Sequence, residues 1–360
     1  MLLAALLLLS DVAAPPGVVI DHQPAATRQY IGSPSIVILP GGDYVASHDF
    51  FGPGSTQSTS AVTRVFRSTD RGRTWSKSAE LQDQFWSNLF LHRSKLYLMG
   101  TTFEYGRIVI RVSSDGGRTW TGANYLTPAV NYHTAPTPIA IHRGRIWRAM
   151  EFHPPGPWGR FEAFVLSAPV KADLLDPRSW TLSDRLPYPK DQSEGKTWLE
   201  GNTIVGRDGT LYDILRVDNI EKAALVKVLQ PDRLAFDRLI DFPGGAKKFT
   251  IRYDPKSKRY WTLANPAPNV PAPASVRNTL ALLSSADLKD WRTERIVLTH
   301  PDALKHGFQY VDWQFDGPNL APVVRTAFED ENGDAHNFHD ANFLVFVRVD
   351  HFRQHLRAAD

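Results

Sequence analysis

Ser68-Thr69-Asp70-Arg71-Gly72-Arg73-Thr74-Trp75 and Ser113-Ser114-Asp115-Gly116-Gly117-Arg118-Thr119-Trp120 both spell Ser-x-Asp-x-Gly-x-Thr-Trp. Each residue type has a mechanical reason to be there. The Asp carboxylate can accept backbone N–H groups of a tight turn, Gly supplies the positive φ such a turn needs, and Trp pins the turn between strands. Each copy follows a run suited to a strand, 62–67 and 108–112. The two are 45 residues apart, roughly the length of one four-stranded repeat unit.

Outward from this pair, an apolar strand, polar turn and second apolar strand recur at 36–47, 89–99, 138–150, 203–215, 250–263 and 311–324, six units in all. The octapeptide resembles the Asp-box of the sialidase-like β-propellers. That resemblance implies an all-β ring of six four-stranded antiparallel blades; a seventh would have to hide in 168–193. Degraded boxes are expected at 284–291 and 176–180, and the strand at 342–349 is expected to close the ring with 18–21, removing an exposed edge. Asp-boxes lie on blade peripheries, so they speak for fold and not for an active site.

Ten Trp, 26 Pro and 24 Gly suit short strands and turns. The net charge of +3 comes from dispersed Lys and Arg, which gives no footprint for nucleic acid but leaves room for a local cationic pocket. With no Cys there is no disulfide framework, thiolate metal site or thiol nucleophile. The apolar run 2–10, ending near Val12-Ala13-Ala14, reads as a leader within 1–16 ahead of a single domain at 17–360, and so as a secreted or periplasmic protein, although a basic n-region is missing. No other segment is long enough to span a bilayer as a helix.

Inner strands of such a ring converge on its axis, so polar residues at their ends are the candidate site. These are His133, His153, Glu200 and Asn202 beside Trp198, Arg216, Arg252-Tyr253, Asp312 and Arg325. Sialidase chemistry needs three arginines for a substrate carboxylate, a Tyr nucleophile activated by Glu, and an Asp acid. Arg216, Arg252 and Arg325 offer cations and Tyr253 a phenol. The Arg-Ile-Pro motif of the first sialidase blade is absent, because that region reads Tyr30-Ile31-Gly32-Ser33-Pro34-Ser35-Ile36, which argues against a true sialidase.

The segments 30–35, 45–52 (Val-Ala-Ser-His48-Asp-Phe-Phe-Gly), Tyr132-His133-Thr134-Ala135-Pro136 and His336-Asn337-Phe338-His339-Asp340-Ala341-Asn342 resemble the propeller hydrolases that release L-rhamnose α-1,4-linked to glucuronic acid on plant-type glycans. More distantly they resemble propeller lyases of rhamnose–uronate polymers such as ulvan. The first resemblance implies one principal catalytic histidine on the first blade, His48, on the face opposite the usual pocket. An imidazole with a pKa of about 6.5 can serve as base toward water. The second implies His133 and His153 with Arg216 and Tyr253 as a uronate pocket, in which a cation acidifies the C5 proton and His or Tyr removes it. It also implies an extra tyrosine where this chain has Trp198.

The sequence thus leads to a glycoside hydrolase on acidic oligo- or polysaccharides, with His48, His133 and His153 catalytic and Trp198, Glu200, Asn202, Arg216, Tyr253 and Arg325 binding substrate. A uronate lyase and a silent glycan-binding propeller are the alternatives. No metal or other cofactor is expected: His336-x-x-His339-Asp340 reads as a hydrogen-bonded turn, and 330–334 lacks the full Ca²⁺ ligand spacing. His92 and His142 read as solvated turn residues.

Overall fold

The computed structural model describes residues 14–191 and 194–355, so the candidate leader lies almost wholly outside the described residues. Six antiparallel sheets follow one another as blades. Blade 1 runs from a split inner strand, Tyr30–Ile31 and Ser35–Ile38, through Tyr44–Phe51 and Val62–Ser68 to Ser76–Gln82. Blade 2 begins at Phe85–His92, blade 3 at Tyr132–His133 and Ala140–His142, blade 4 at Trp198–Val205, blade 5 at Thr250–Asp254 and blade 6 at Gly307–Asp316. The stretch 168–193 holds the outer strand pieces Thr181–Leu182 and Leu186–Pro187 of blade 3 and not a seventh blade.

Ring closure follows the expected route. Val18–His22 pairs antiparallel with Phe343–Phe346 as the outermost strand of blade 6, from Val18 opposite Phe346 to His22 opposite Phe343. One blade is thereby built from both ends of the described chain, which leaves the ring without a free seam. Apolar side chains fill the interfaces between blades. Trp147, Val165, Trp198, Leu215 and Val226, for example, form one cluster across blades 3 and 4.

The two octapeptides make the turns their residues demand. Asp70 Oδ1 accepts from Thr74 N at 2.9 Å and its Oδ2 from the Thr74 hydroxyl at 2.6 Å; Asp115 does the same with Thr119 at the same distances. These bonds, led by those from Thr74, draw the Asp70 carboxyl down to about 2. Gly72 has φ +85°, and a Cβ there would lie 2.4 Å from the Phe346 ring, so the first box also depends on glycine to seat the closing strand. The degraded box keeps the design: Asp287 accepts from Lys289 and Asp290 N, and Trp291 Nε1 donates to Leu288 O.

A second repeat was not read from the sequence. In blades 2, 4 and 6 the inner strand is bulged near its start, the register shifting between Phe85 and Asn88, Leu199 and Asn202, and Gln309 and Asp312. Within each bulge one non-glycine residue takes a left-handed φ: Trp86 at +48°, Glu200 at +62° and Tyr310 at +53°. A bulge re-aims its side chain, and all three line one axial pocket. Two residues further on in blades 4 and 6, a buried amide or carboxylate hooks the next blade: Asn202 Oδ1 accepts from Ile251 N at 3.0 Å, and Asp312 Oδ2 from Ile36 N at 2.9 Å.

Candidate active site

The pocket encloses about 330 Å³ where inner strands begin and second strands end. Its two halves differ chemically. Blades 4 to 6 contribute Glu200, Arg216, Arg277, Tyr310 and Arg325; blades 1 to 3 contribute Asp49, Phe51, Trp86, Tyr105, His133 and Trp158. Tyr105, like the bulge residues, holds a strained φ of +59°. Such outliers persist where surrounding structure over-determines them, and four of them converge here.

On the cationic side, the Tyr310 hydroxyl donates to Glu200 Oε1 at 2.8 Å. Arg216 Nε lies 2.6 Å from Glu200 Oε2, an ion pair too far out of line to count as a hydrogen bond. Burial pushes the Glu200 carboxyl up, but Arg216, helped by His133 and Tyr310, more than offsets it and leaves the pKa below the ordinary value. Burial, then Glu200, pushes the Tyr310 phenol up against the pull of three arginines. The proton therefore rests on Tyr310, and Glu200 stands ionised beside it as an acceptor.

Arg277 and Arg325 hold their guanidinium carbons 5.6 Å and 4.7 Å from the centre of the Tyr310 ring. Arg325 also lies over Phe51 at 4.3 Å and donates from Nη2 to His339 O at 2.6 Å. Burial, and then the neighbouring Arg277 charge, draws Arg325 down to about 10, still cationic at neutral pH. His339 is pushed down to about 3 by burial and by Arg325, so its ring is neutral; its Nδ1 lies 2.9 Å from Asp340 Oδ1.

Asp49 faces this cluster from blade 1. Its Oδ1 accepts from Ser33 N at 2.7 Å and its Oδ2 from Trp86 N, yet burial dominates and raises its carboxyl to about 6. A Cβ on Gly32 would fall 1.7 Å from Asp49 Oδ1, so glycine is what admits the carboxylate. His133 completes the floor, its Nδ1 2.7 Å from the fully buried Glu151, which fixes the ring and leaves Nε2 uncommitted.

Of the residues singled out in the sequence, Glu200, Arg216, Arg325 and His133 meet in this pocket. His153 stands behind it, stacked on Tyr105 at 4.6 Å. Asn202 is spent on holding blade 5, and Trp198 is a core residue with no exposure, packed edge-on against Tyr188. Tyr253 and Arg252 point to the other mouth of the axis, where a largely apolar cavity of about 560 Å³ opens, because residues at the end of an inner strand face away from those at its start.

His48 does not line either mouth. It is fully buried, with Nε2 2.9 Å from Asp21 Oδ2 and Nδ1 2.9 Å from Asp49 O, and it stacks on Phe66. His92, expected in solvent, is buried with Nε2 2.8 Å from Val170 O. Asp49, Arg277 and Tyr310 were missed. The parallel patterns Leu199-Glu200-Gly201-Asn202 and Gln309-Tyr310-Val311-Asp312 are the signal that would have found Tyr310.

For metal ligation, among the described residues His300, His306 and Glu329 bring ligand atoms within 4.8 Å of one another. The two rings stack 3.5 Å apart at 21°, so their in-plane lone pairs do not converge on one point.

This architecture is the six-bladed, sialidase-like propeller. The chain is similar to the Trypanosoma rangeli sialidase (TM-score 0.64, 13% identity, 95% of this chain and 60% of that one) and to the Ruminococcus gnavus intramolecular trans-sialidase (0.64, 12%, 97% and 100%). It is also similar to the Penicillium chrysogenum α-L-arabinanase (0.58, 14%, 95% and 99%). This chain thus spans about three fifths of the trypanosomal enzyme's length, and at these identities the likeness is one of fold. No protein-family model matches the chain, and comparison with curated proteins finds no match.

Proposed function

We propose that the protein is a glycoside hydrolase acting on glycans that carry a carboxylate-bearing sugar, with the substrate carboxylate held by Arg216, Arg277 and Arg325. The observation that carries this reading is the Tyr310–Glu200 hydrogen bond of 2.8 Å inside a three-arginine cluster. A carboxylate is the usual glycosidase nucleophile, but beside a carboxylate at the anomeric centre a second anion would be repelled. A phenol that loses its proton to a neighbouring glutamate only as it attacks avoids that repulsion, and tyrosine nucleophiles are known for sialidases.

In this mechanism Tyr310 Oη attacks the anomeric carbon as Glu200 takes its proton. Asp49, whose burial lets it keep its proton up to a pH of about 6, gives that proton to the leaving oxygen. Water then attacks the anomeric carbon and loses a proton to Asp49, while the glycosyl–tyrosine bond breaks and Glu200 returns its proton to the departing Tyr310 oxygen. In this reading the absent first-blade arginine is offset by Arg277, which joins Arg216 and Arg325 in the pocket where Arg252 was expected.

A rhamnosyl–glucuronate linkage, implied by the sequence resemblance, is the second reading. It is supported by the same arginines, which suit a uronate carboxylate, and by the His133–Glu151 pair beside them. The test is to incubate the protein with a fluorogenic sialoside and with rhamnose-capped glucuronate oligosaccharides, following fluorophore, free rhamnose and near-ultraviolet absorbance. Fluorophore release lost in Y310F supports the first reading, and free rhamnose supports the second. New ultraviolet absorbance would mean elimination, and silence on all three would overturn both hydrolase readings.

A further inference from the structure

Resting on the hydrolase reading above, we infer that Trp158 and Glu104 form a subsite for a neutral leaving-group sugar, so that the acidic sugar is the terminal one. The starting point is direction. The arginines lie on blades 4 to 6 and Asp49 on blade 1, so a sugar whose carboxylate faces the arginines presents its glycosidic oxygen toward Asp49 and its aglycone toward blades 2 and 3.

On that side Trp86, Tyr105 and Trp158 line the pocket, with the buried Phe161 packed behind Tyr105 and Trp158. The Trp86 backbone N–H donates to Asp49 while its ring meets Tyr105 at 5.7 Å, and Phe161 lies 6.4 Å from Tyr105 and 5.7 Å from Trp158. Trp158 is 55% exposed; among the large apolar side chains that the described residues leave in solvent, it is the tryptophan, and it lines this pocket. Its loop reads His153-Pro154-Pro155-Gly156-Pro157-Trp158-Gly159-Arg160, with Gly156 at φ +138° and Gly159 at +91°. Arg160 Nη1 braces it by donating to Pro155 O at 3.2 Å. Three prolines and a brace restrict the loop before any ligand arrives, so presenting an indole to a sugar's C–H face costs little ordering entropy.

The polar rim on this side is anionic. Glu104 lines the pocket, its Oε2 accepting from Gln57 Nε2 at 3.0 Å, and Gln57 in turn accepts from Gly52 N at 2.8 Å. A carboxylate there bonds hydroxyls well and repels an acidic sugar, so charge complementarity assigns the acid to the arginine side and a neutral sugar to the Trp158 side. A rhamnosyl–glucuronate bond has the opposite polarity, since its leaving group is the acid.

Equilibrium binding of N-acetylneuraminic acid and glucuronic acid to the wild-type protein, and of these with 3′-sialyllactose and rhamnosyl-glucuronate to Y310F, which lacks the attacking oxygen, and to Y310F carrying W158A or E104Q, tests this. The expected result is that the neutral lactose extension tightens binding to Y310F about tenfold over the acidic monosaccharide, equivalent to about 1.4 kcal/mol. In that background W158A should bring 3′-sialyllactose down to the affinity of the monosaccharide, and E104Q should narrow the gap between 3′-sialyllactose and rhamnosyl-glucuronate. An acidic monosaccharide that binds but gains nothing from lactose, or a gain that survives in W158A, overturns the subsite alone. Failure of both acidic monosaccharides to bind the wild type overturns the underlying hydrolase reading.

Discussion

Tyr310 and Glu200 come from blades on opposite sides of blade 5, yet the phenol of one donates to the carboxylate of the other at 2.8 Å. Neither side chain would face the axis from a regular strand. Both sit at bulges with left-handed backbone, and the bond between them spans the mouth of the pocket.

If this bond activates the nucleophile, Y310F removes the attacking oxygen and E200Q the proton acceptor. Turnover of a responsive glycoside should fall roughly 10²- to 10⁴-fold in each, and the double variant should be little worse than either, because the two act as a unit. Steady-state kinetics on the three variants, with thermal melting to establish folding, checks this; additive losses would separate the two residues.

The pH dependence follows from Asp49. Its carboxyl is raised to about 6, so it holds its proton below that pH and releases it above. A group that must donate a proton is lost as the pH rises through 6, so kcat/KM should decline on that limb. D49N should be slow at every pH and lack the limb, and a wild-type profile flat from pH 5 to 8 would remove Asp49 as the acid.

Arg325 is placed here as one of three cations facing a carboxylate. In R325A, binding of an acidic sugar should weaken by about 10- to 100-fold, in line with about 1.5–3 kcal/mol for a hydrogen bond to a charged group. The sharper readout is the methyl ester of the same sugar. Wild type should discriminate strongly against the ester and R325A much less, as calorimetry would show; undiminished discrimination would leave Arg216 and Arg277 sufficient.

His48 offers a direct comparison between the sequence reading and the geometry. Both its ring nitrogens are engaged and its ring is enclosed, so H48A should lower stability by about 2–4 kcal/mol in denaturant titration, chiefly by opening a cavity and losing two buried hydrogen bonds, while Asp21 keeps its pairing with Arg64. Folded H48A should retain most of its turnover. A well-folded H48A without activity would return the catalytic role to His48, acting through Asp49.

The fold was legible because its signals are local. Asp70, Gly72 and Trp75 make their turn within eight residues, and the strand pairs are contiguous in sequence, so both could be read without knowing the ring. The site was half legible for the converse reason. Glu200, Arg216 and His133 stand at strand ends where an axial pocket must draw its residues. Tyr253 sits at the wrong end of its strand, a distinction set by strand direction around the axis. Trp198 and Asn202 flank Glu200 but turn elsewhere, since one bulge reverses which neighbours face inward. Arg277 lies between strands, and no periodicity marks it.

The hooks beyond the bulges carry a further consequence. Asn202 fastens blade 5, and Asp312, through Ile36 and the Ser35 hydroxyl, fastens blade 1, each within two residues of a side chain aimed at the axis. Aim and fastening therefore share a lever arm. A slackened seam between two blades would swing Glu200 or Tyr310 off line while every blade kept its own sheet, making the Tyr310–Glu200 contact a finer gauge of how tightly the ring is drawn than any spectroscopic measure of its strands.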